Sequence, residues 1–312
     1  MKLLVPITIQ AAMLTAASIA EPDTAGGEVA WASGTFAVGD RRVVAAAHSV
    51  YQCTSAGTST DSPDTTAGAA MWQRVGPSNR WAAFDSFTST QSTSTASVSY
   101  TLRPQQAFNA VALYGCKGQQ VTVTVTEGPG GAVLFTYTGP LYEPAIGWWE
   151  WLFSRARTIS KLVVRDIPIA ADPVLTVTVD PLPGESAAIG ILALGDLRAI
   201  IGDAEWGGTQ KGASAEPKTY SYIDTDEFGS TVIKQRPSAT DMSATVKMPR
   251  ASADYALACV QEVLDVPAAW IATDANGYAG LNVFGLGKGA VKYDVDDGAT
   301  TAELSLNVMG FI

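Results

Sequence analysis

The residues at positions 121–126 are Val-Thr-Val-Thr-Val-Thr, and this strict alternation of apolar and polar side chains decides the fold class. Successive side chains of a β-strand point to opposite faces of the sheet, so the valines share one face and the threonines the other. We therefore expect a strand whose valine face packs on a hydrophobic core and whose threonine face meets water.

Similar short runs lie on both sides of this stretch and are separated by turns rich in glycine and proline. They occupy residues 97–102, 110–114, 133–137, 161–165, 174–179 and 188–194. Many short strands at such intervals are typical of a sandwich of two sheets. The sequence therefore predicts a jelly-roll-like β-sandwich over residues 86–200.

The remaining segments complete a chain that we expect to be mainly β. Residues 1–27 contain only short apolar runs and are interpreted as an N-terminal arm. Residues 28–85 are predicted to form a small module of short strands that ends in a linker motif. Residues 201–312 combine several strands with a helical pattern at residues 251–264, where Ser252 is the candidate N-cap, and this combination predicts an α+β domain.

The composition and net charge of the chain argue against nucleic acid and membranes as binding partners. The chain has 312 residues, of which 47% are hydrophobic and 16% charged, a balance typical of packed globular domains. Its formal net charge of -10 makes attraction to phosphate backbones and anionic lipid headgroups unfavourable. We therefore expect no nucleic acid partner and no membrane span. Pro6, Thr8 and Gln10 interrupt the apolar start of the chain, which argues against a secretory signal.

Catalytic and metal-binding patterns are sparse. His48 is the single histidine, no GxSxG motif accompanies it, and the three cysteines lack the spacing of metal ligands. The acidic segments at residues 224–229 and 294–298 lack the glutamate that closes an EF-hand loop. Solvated hairpin turns are the favoured interpretation of both segments, and an irregular calcium site is the alternative. We expect no enzyme activity, no cofactor and no metal ion.

Three tryptophans, Trp148, Trp149 and Trp151, lie within four positions and give the strongest binding signal. In a strand, Trp149 and Trp151 would share a face opposite to Trp148, so at least one ring should lie near a surface. Core filling, a subunit interface and stacking on a sugar all use such a cluster, and the three alternatives stay open. The tryptophans are therefore candidate interface or glycan contacts.

The most specific stretch is Val-Gly-Pro-Ser-Asn-Arg-Trp-Ala-Ala-Phe-Asp at residues 75–85. It resembles the segment that joins a small module to a β-sandwich in tail-tip and baseplate proteins of long-tailed bacteriophages. Upstream, residues 31–72 resemble the chitinase-type carbohydrate-binding module that recurs in phage tail proteins. Chitinase modules usually carry paired exposed aromatics where residues 52–57 have none, so the resemblance implies the scaffold without its sugar platform. The C-terminal third is similar to domains of distal tail or baseplate proteins.

Asn79, Arg80, Trp81 and Asp85 are the candidate domain lock within this stretch. Arg80 can donate a planar pair of hydrogen bonds to Asp85 or to backbone carbonyls while its flat face covers the Trp81 ring. An architectural role is favoured over a ligand site, because these residue types fix domains as well as they recognise ligands.

The resemblance implies a structural, non-catalytic component of the virion at the tail tip or baseplate, made in the bacterial cytoplasm and located in the phage tail. Its expected partners are copies of itself, as a homo-oligomer, and tube, hub or fibre proteins. The alternative is a host-receptor protein of the tail that binds cell-surface glycan through the tryptophan-rich segment.

Overall fold

The computed structural model describes residues 1–143, 147–153, 157–225, 227, 229–273, 275, 277–293 and 300–311, without the side chains of Glu150 and Trp151. Antiparallel strands dominate these residues, and helices are short. The prediction of a mainly β chain is confirmed.

The strands and helices follow one another in three stretches of the chain. The first 77 residues form β1 Lys2–Pro6, β2 Leu14–Ala17, β3 Gly34–Phe36, β4 Arg41–Val44, β5 Ser49–Cys53, β6 Gly57–Ser59 and β7 Trp72–Pro77. The middle stretch forms β8 Ser92–Ser94, β9 Val98–Leu102, β10 Ala110–Tyr114, β11 Gln120–Thr126, β12 Val133–Pro140, α1 Trp148–Phe153, β13 Lys161–Val164, β14 Val174–Asp180, β15 Ala187–Ile189 and β16 Ile191–Ala199. The last stretch forms β17 Gly208–Thr209, β18 Ser214–Thr219, β19 Tyr222–Thr225, β20 Thr231–Lys234, β21 Ser238–Pro249, α2 Ala253–Glu262, β22 Ala268–Ile271, β23 Asn282–Tyr293 and β24 Thr301–Gly310.

The small N-terminal module consists of a two-stranded sheet, β3 with β6, and a three-stranded sheet in the order β4-β5-β7. Its core contains Phe36, Tyr51, Cys53 and Trp72, and the Phe36 and Trp72 rings meet edge to face with centroids 4.8 Å apart. So few apolar side chains give a unit of this size little stability of its own. The module therefore depends on its contacts with the rest of the chain.

A β-sandwich occupies the middle of the chain. One layer is the five-stranded sheet β12-β11-β14-β9-β2, and it packs on strands β13, β10 and β16 of a larger sheet. In the register of β11 and β14, Val121 lies beside Val179 and Val123 beside Val177. The valines of β11 are fully buried while its threonines are partly exposed, as the alternation at residues 121–126 predicts.

The larger sheet has ten strands and curls strongly. Its order begins β13-β10-β16-β1-β22-β23, and side chains of the first, second and sixth strands meet. The Tyr114 hydroxyl of β10 donates to Oδ1 of Asn282 on β23 at 2.5 Å, and Lys161 Nζ of β13 donates to the Asn282 carbonyl at 2.9 Å. Alanines such as Ala112 and Ala193 line the inner face, where small side chains allow tight curvature around Tyr114.

Residues 1–27, for which the sequence predicts an arm, lie within this chain's own sheets. β1 runs between β16 and β22, and β2 forms the edge of the five-stranded sheet beside β9. Leu3 and Leu4 are both fully buried and point to opposite faces, as in a central strand covered on both sides. β1 therefore ties the sandwich to the C-terminal strands in one continuous sheet.

The C-terminal stretch is α+β, with α2 packed on one face of β22, β23, β24 and β21. α2 begins at Ala253, directly after the predicted N-cap Ser252, but the Ser252 side chain makes no capping hydrogen bond because a 3-10 turn, Arg250–Ser252, leads into the helix. Trp270 is the largest buried side chain of this core and donates from Nε1 to the Gly285 carbonyl.

A long hairpin extends from this part of the sheet. β18 pairs with the first half of β21, and β19 pairs with β20 beyond them. Every residue of β18, β19 and β20 is exposed. This hairpin, residues 214–243, is called the ribbon below. Its turn includes positions 226 and 228, which lie outside the described residues.

Candidate functional site

Asn79, one of the four residues of the predicted lock, joins three parts of the chain. Its Nδ2 donates to Oδ2 of Asp23 at 2.6 Å and to the Thr93 carbonyl at 2.8 Å, while its Oδ1 accepts from the Thr93 amide at 2.8 Å. The Asn79 backbone amide donates to Oε1 of Glu28 at 2.7 Å. Asn79 therefore holds the segment 21–28 against β8 of the sandwich.

Glu21 is the carboxylate at the centre of the lock. It accepts hydrogen bonds from Ser78 Oγ at 2.6 Å and from Trp81 Nε1 at 3.1 Å, and His48 Nδ1 lies 2.9 Å from Oε2. The Glu21 side chain is only 7% exposed, so these three polar partners replace the water that its charge would otherwise bind. From here on, the lock means the set that the structure brings together. Its members are Glu21, His48, Ser78, Asn79 and Trp81, so it keeps Asn79 and Trp81 of the predicted set and leaves out Arg80 and Asp85.

A line of aromatic rings continues from the lock into the sandwich core. The His48 imidazole stacks on Trp81 with centroids 4.2 Å apart, Trp81 contacts Phe84 at 5.5 Å, and Phe84 contacts Tyr100 at 5.2 Å. The Tyr100 hydroxyl donates to the Arg80 carbonyl at 2.8 Å, and burial raises the pKa of Tyr100. The module and the sandwich are thus joined by a packed, hydrogen-bonded seam.

Arg80 and Asp85 take other roles than the pairing that the sequence suggests. No hydrogen bond joins their side chains in the described structure, and Arg80 Nε is buried without a partner among the described residues. Asp85 instead accepts from the Phe87 amide at 2.9 Å and from the Thr90 hydroxyl, because the chain turns back over it directly after the 3-10 turn Ala82–Phe84. Burial raises the pKa of the Asp85 carboxyl, and the Thr90 hydrogen bond partly opposes this shift.

Sequence reasoning missed Glu21, Asp23 and Glu28 as partners of Asn79 and Trp81. They lie in the segment interpreted as an arm, more than fifty positions away from the residues they bind. Buried carboxylates need donors, but no local pattern shows which donors fold next to them. The contact between His48 and Glu21 was hidden for the same reason.

The lock does not have the arrangement of a nucleophile and its base. Ser78 Oγ donates to Glu21, and His48 uses Nδ1 on the same carboxylate, so no hydrogen bond joins the Ser78 hydroxyl to the His48 ring in the described structure. The two residues meet through their backbones, where the Ser78 amide donates to the His48 carbonyl at 3.0 Å. The geometry is that of a carboxylate that gathers three donors from separate segments. These hydrogen bonds hold the three segments together.

The tryptophan-rich segment lies between the two residues of an isolated antiparallel β-bridge, Tyr142 and Thr158. The Glu143 amide donates to the Arg157 carbonyl, and the Ile159 amide donates to the Leu141 carbonyl, both at 2.8 Å. Beyond this pair, α1 carries Trp148 and Trp149, which are 71% and 63% exposed, together with exposed Leu152 and Phe153. We call these four residues the aromatic tip.

The aromatic tip belongs to a helix, α1, and not to a strand. Trp148 and Trp149 meet at a right angle with centroids 5.3 Å apart, and Trp149 contacts Phe153 at 4.3 Å. Core filling is wrong for Trp148 and Trp149 because both rings face water. The Trp151 side chain lies outside the described residues.

The described residues were also searched for metal sites, reactive cysteines and membrane-spanning helices, and they add no further candidate site. No cluster of three histidine, cysteine, aspartate or glutamate side chains that could hold a metal ion is present in the described ranges, and residues 294–298 lie outside them. Cys53, Cys116 and Cys259 are buried free thiols, and burial raises the pKa of Cys116 to about 12. Within the same ranges, no helix has the length and apolar character to cross a membrane.

Comparison with known proteins identifies no family for this chain. The chain matches no protein-family model and no curated protein sequence. It is similar to a selenomethionine-labelled mutant of chitosan-binding module 1 from a chitosanase/glucanase of Paenibacillus sp. IK-5, with 14% identity and a TM-score of 0.24. That match covers 37% of this chain and 82% of the module, and so slight a likeness supports no argument about function.

Proposed function

We propose that this chain is a structural component of a tailed-phage virion at the tail tip or baseplate. In this role it assembles with copies of itself and with tube, hub or fibre proteins, and it performs no catalysis. The class comes from the resemblance of residues 75–85, and the single structural observation that supports assembly is the exposure of two apolar projections, the aromatic tip and the ribbon.

The ribbon exposes large aliphatic side chains. Ile223 and Ile233 lie directly opposite each other on β19 and β20 and are 61% and 59% exposed. A two-stranded hairpin is marginally stable in water, and apolar burial stabilises by about 25 cal/mol per Å². Covering the ribbon and the tip with a partner would remove both exposed patches from water.

The lock is consistent with a structural role in an assembly. It fixes the module on the sandwich through hydrogen bonds and stacked rings, and β1 joins the sandwich to the C-terminal strands. A body whose parts are already joined in this way has less freedom to lose on assembly than a flexible chain.

Purified particles provide the test of this proposal. We expect mass spectrometry of gradient-purified virions to find the chain in constant ratio to other tail proteins, and antibody labelling in electron micrographs to mark the tail tip. A chain that occurs only as a monomer in the cytoplasm of infected cells, and never in particles, would overturn the proposal.

A second candidate function is recognition of host-surface glycan by the aromatic tip. The observation that favours it is the exposure of Trp148 and Trp149, since aromatic faces bind the apolar faces of sugar rings. Glycan-array binding that is lost in Trp149→Ala and retained in Trp206→Ala, a change at another exposed tryptophan, would support it. Absence of binding to any envelope sugar of the host would remove it.

A further inference from the structure

The outer part of the ribbon is an isolated two-stranded sheet. β19 and β20 pair in regular register, from Tyr222 opposite Lys234 to Thr225 opposite Thr231. No described strand pairs with the other edge of either one. Two strands alone are marginally stable in water, whereas three or more with an apolar face are stable by themselves. A further strand would therefore stabilise this part of the ribbon.

β20 has the less protected of the two free edges. Folded proteins protect edge strands from pairing with bulges, prolines or charged side chains. β19 has Asp224 within the strand. β20 has neither a bulge nor a proline, and its only charged residue, Lys234, is the last one. The other three residues of β20 are β-branched, a type that is enriched in strands. The β20 edge is therefore open to a strand from another chain.

The two faces of the outer ribbon carry different side chains. Residues that lie directly opposite each other in a sheet share a face. On one face, Ile223 lies opposite Ile233. On the other face, Asp224 lies opposite Val232, and Tyr222 lies opposite Lys234. Any strand added along β20 must continue both of these patterns.

We infer that β20 pairs antiparallel with β20 of a second copy of this chain, so that Ile233 of one copy lies opposite Ile233 of the other. This inference rests on the assembly role proposed above and names one self-association contact within it. The pairing joins two ribbons in one four-stranded sheet in the order β19-β20-β20-β19. A two-fold axis at Ile233 relates the copies, so each contact occurs twice.

This register makes the β20 edge complementary to itself. On one face, Ile223 and Ile233 of both copies form a row of four isoleucines across the sheet. A pairing centred on Val232 would instead place Ile233 opposite Thr231 and break that row.

The charges on the other face also agree with this register. Val232 of each copy lies opposite Lys234 of the other, and Asp224 lies on the far side of that valine. Each row therefore brings Asp224 of one copy and Lys234 of the other to the same face, two strands apart. No like charges lie directly opposite each other, an arrangement that would destabilise the sheet.

Two further quantities set the strength of this contact. Each copy has a formal net charge of -10, but charges farther apart than about 8 Å are largely screened at physiological ionic strength. Two strands of four residues bury much less than the roughly 800 Å² per partner of a standard interface. We therefore expect a weak, transient dimer of the free chain, which other contacts would hold in place within an assembly.

Disulfide trapping collects such a transient contact. The Ile233→Cys chain is oxidised mildly, and the disulfide-linked dimer is measured on a non-reducing gel; the native thiols are buried and give little background. In the inferred register the two Cβ atoms at position 233 lie about 4.5–5.5 Å apart, close to the distance that a disulfide requires.

The neighbouring residue provides the matched control. Val232 is 53% exposed and Ile233 is 59% exposed, so their cysteine variants differ little in access to solvent. In the inferred register, however, the two residues at position 232 lie on a diagonal, about 7–8 Å apart, which is too far for a disulfide. We expect Ile233→Cys to give at least about tenfold more dimer than Val232→Cys.

A third variant, Ile223→Cys, tests which edge pairs. Ile223 is 61% exposed, but its two copies would lie three strand spacings apart, about 14 Å, and should not cross-link. Equal yields from the Ile233→Cys and Val232→Cys chains, or no dimer from either, would overturn the contact. More dimer through Val232→Cys or Ile223→Cys than through Ile233→Cys would overturn it as well.

The contact and the proposed function can fail separately. A failed trapping experiment with the chain still present in purified particles would overturn the contact and leave the proposed function standing. Absence of the chain from particles would overturn the proposed function even where the trapped dimer forms.

Discussion

Trp81 Nε1 donates a hydrogen bond of 3.1 Å to the buried carboxylate of Glu21, a residue sixty positions earlier in the chain. The same carboxylate binds Ser78 and lies within hydrogen-bond distance of His48. One acidic residue therefore connects the N-terminal segment, the small module and the linker before the sandwich. The stability of this junction depends on that carboxylate.

Glu21→Gln is expected to lower the free energy of unfolding by about 1–3 kcal/mol. Glutamine places an amide donor where at least one of the three partners also donates, so a buried polar group loses its partner. Denaturant unfolding followed by tryptophan fluorescence measures the change. Glu205→Gln, at an exposed position, is the control and should change stability by less than about 0.5 kcal/mol. Equal effects of the two variants would show that the lock is not a stabilising junction.

Asp85 should make stability depend on pH. Burial raises its pKa above the ordinary value of 3.8, so the folded chain binds this proton more tightly than the unfolded chain does. Its contribution to stability is therefore present at low pH and is lost as the pH rises through the folded pKa. The stability of the native chain relative to Asp85→Asn should increase as the pH falls from 7 towards 4. A difference that stays constant over this range would contradict the cause assigned to the shift.

The two faces of β11 should differ in how much a substitution costs. Val123→Thr places a hydroxyl without a partner in the sandwich core and should cost about 1–3 kcal/mol of stability. Thr122→Val changes the partly exposed face and should alter stability by less than about 1 kcal/mol. Thermal unfolding of both variants measures the contrast. Similar losses in the two variants would contradict the difference in burial between the two faces.

The sequence predicted the strands well and their arrangement poorly. The alternation at residues 121–126 and the apolar run of β10 depend only on near neighbours, and both strands form where predicted. The curl of the ten-stranded sheet brings Tyr114 to Asn282, residues 168 positions apart, and no local pattern encodes that meeting. Residues 1–27 were interpreted as an arm because their apolar runs are short. A central strand needs only a few residues, as the five of β1 show, so short runs do not exclude one.

The candidate site was likewise predicted only in part from the sequence. Asn79 and Trp81 were identified because their segment is distinctive, whereas Glu21 and Glu28 carried no signal of their own. The tryptophan cluster was recognised as a binding signal, but too few residues were available to distinguish a helical period from a strand period. The extent of the ribbon depends on pairing between β18 and β21, which the sequence alone does not specify.

The aromatic tip should be an accessible apolar patch in the isolated chain. The native protein is expected to bind the dye ANS, and Trp149→Ala should reduce the fluorescence at least about twofold while leaving unfolding unchanged within about 0.5 kcal/mol. Trp206→Ala changes a tryptophan outside the tip and is the control. Fluorescence that falls equally in both variants would show that the tip is not the dye-binding surface.

The most direct test of the assembly account is hydroxyl-radical footprinting of the purified chain and of intact particles, read out by mass spectrometry. The account predicts that Trp148, Trp149 and Tyr222 are oxidised readily in the purified chain and several-fold less in particles, while Trp206 changes little. Equal oxidation of the tip and the ribbon in both samples would contradict the claim that these projections are covered by partners.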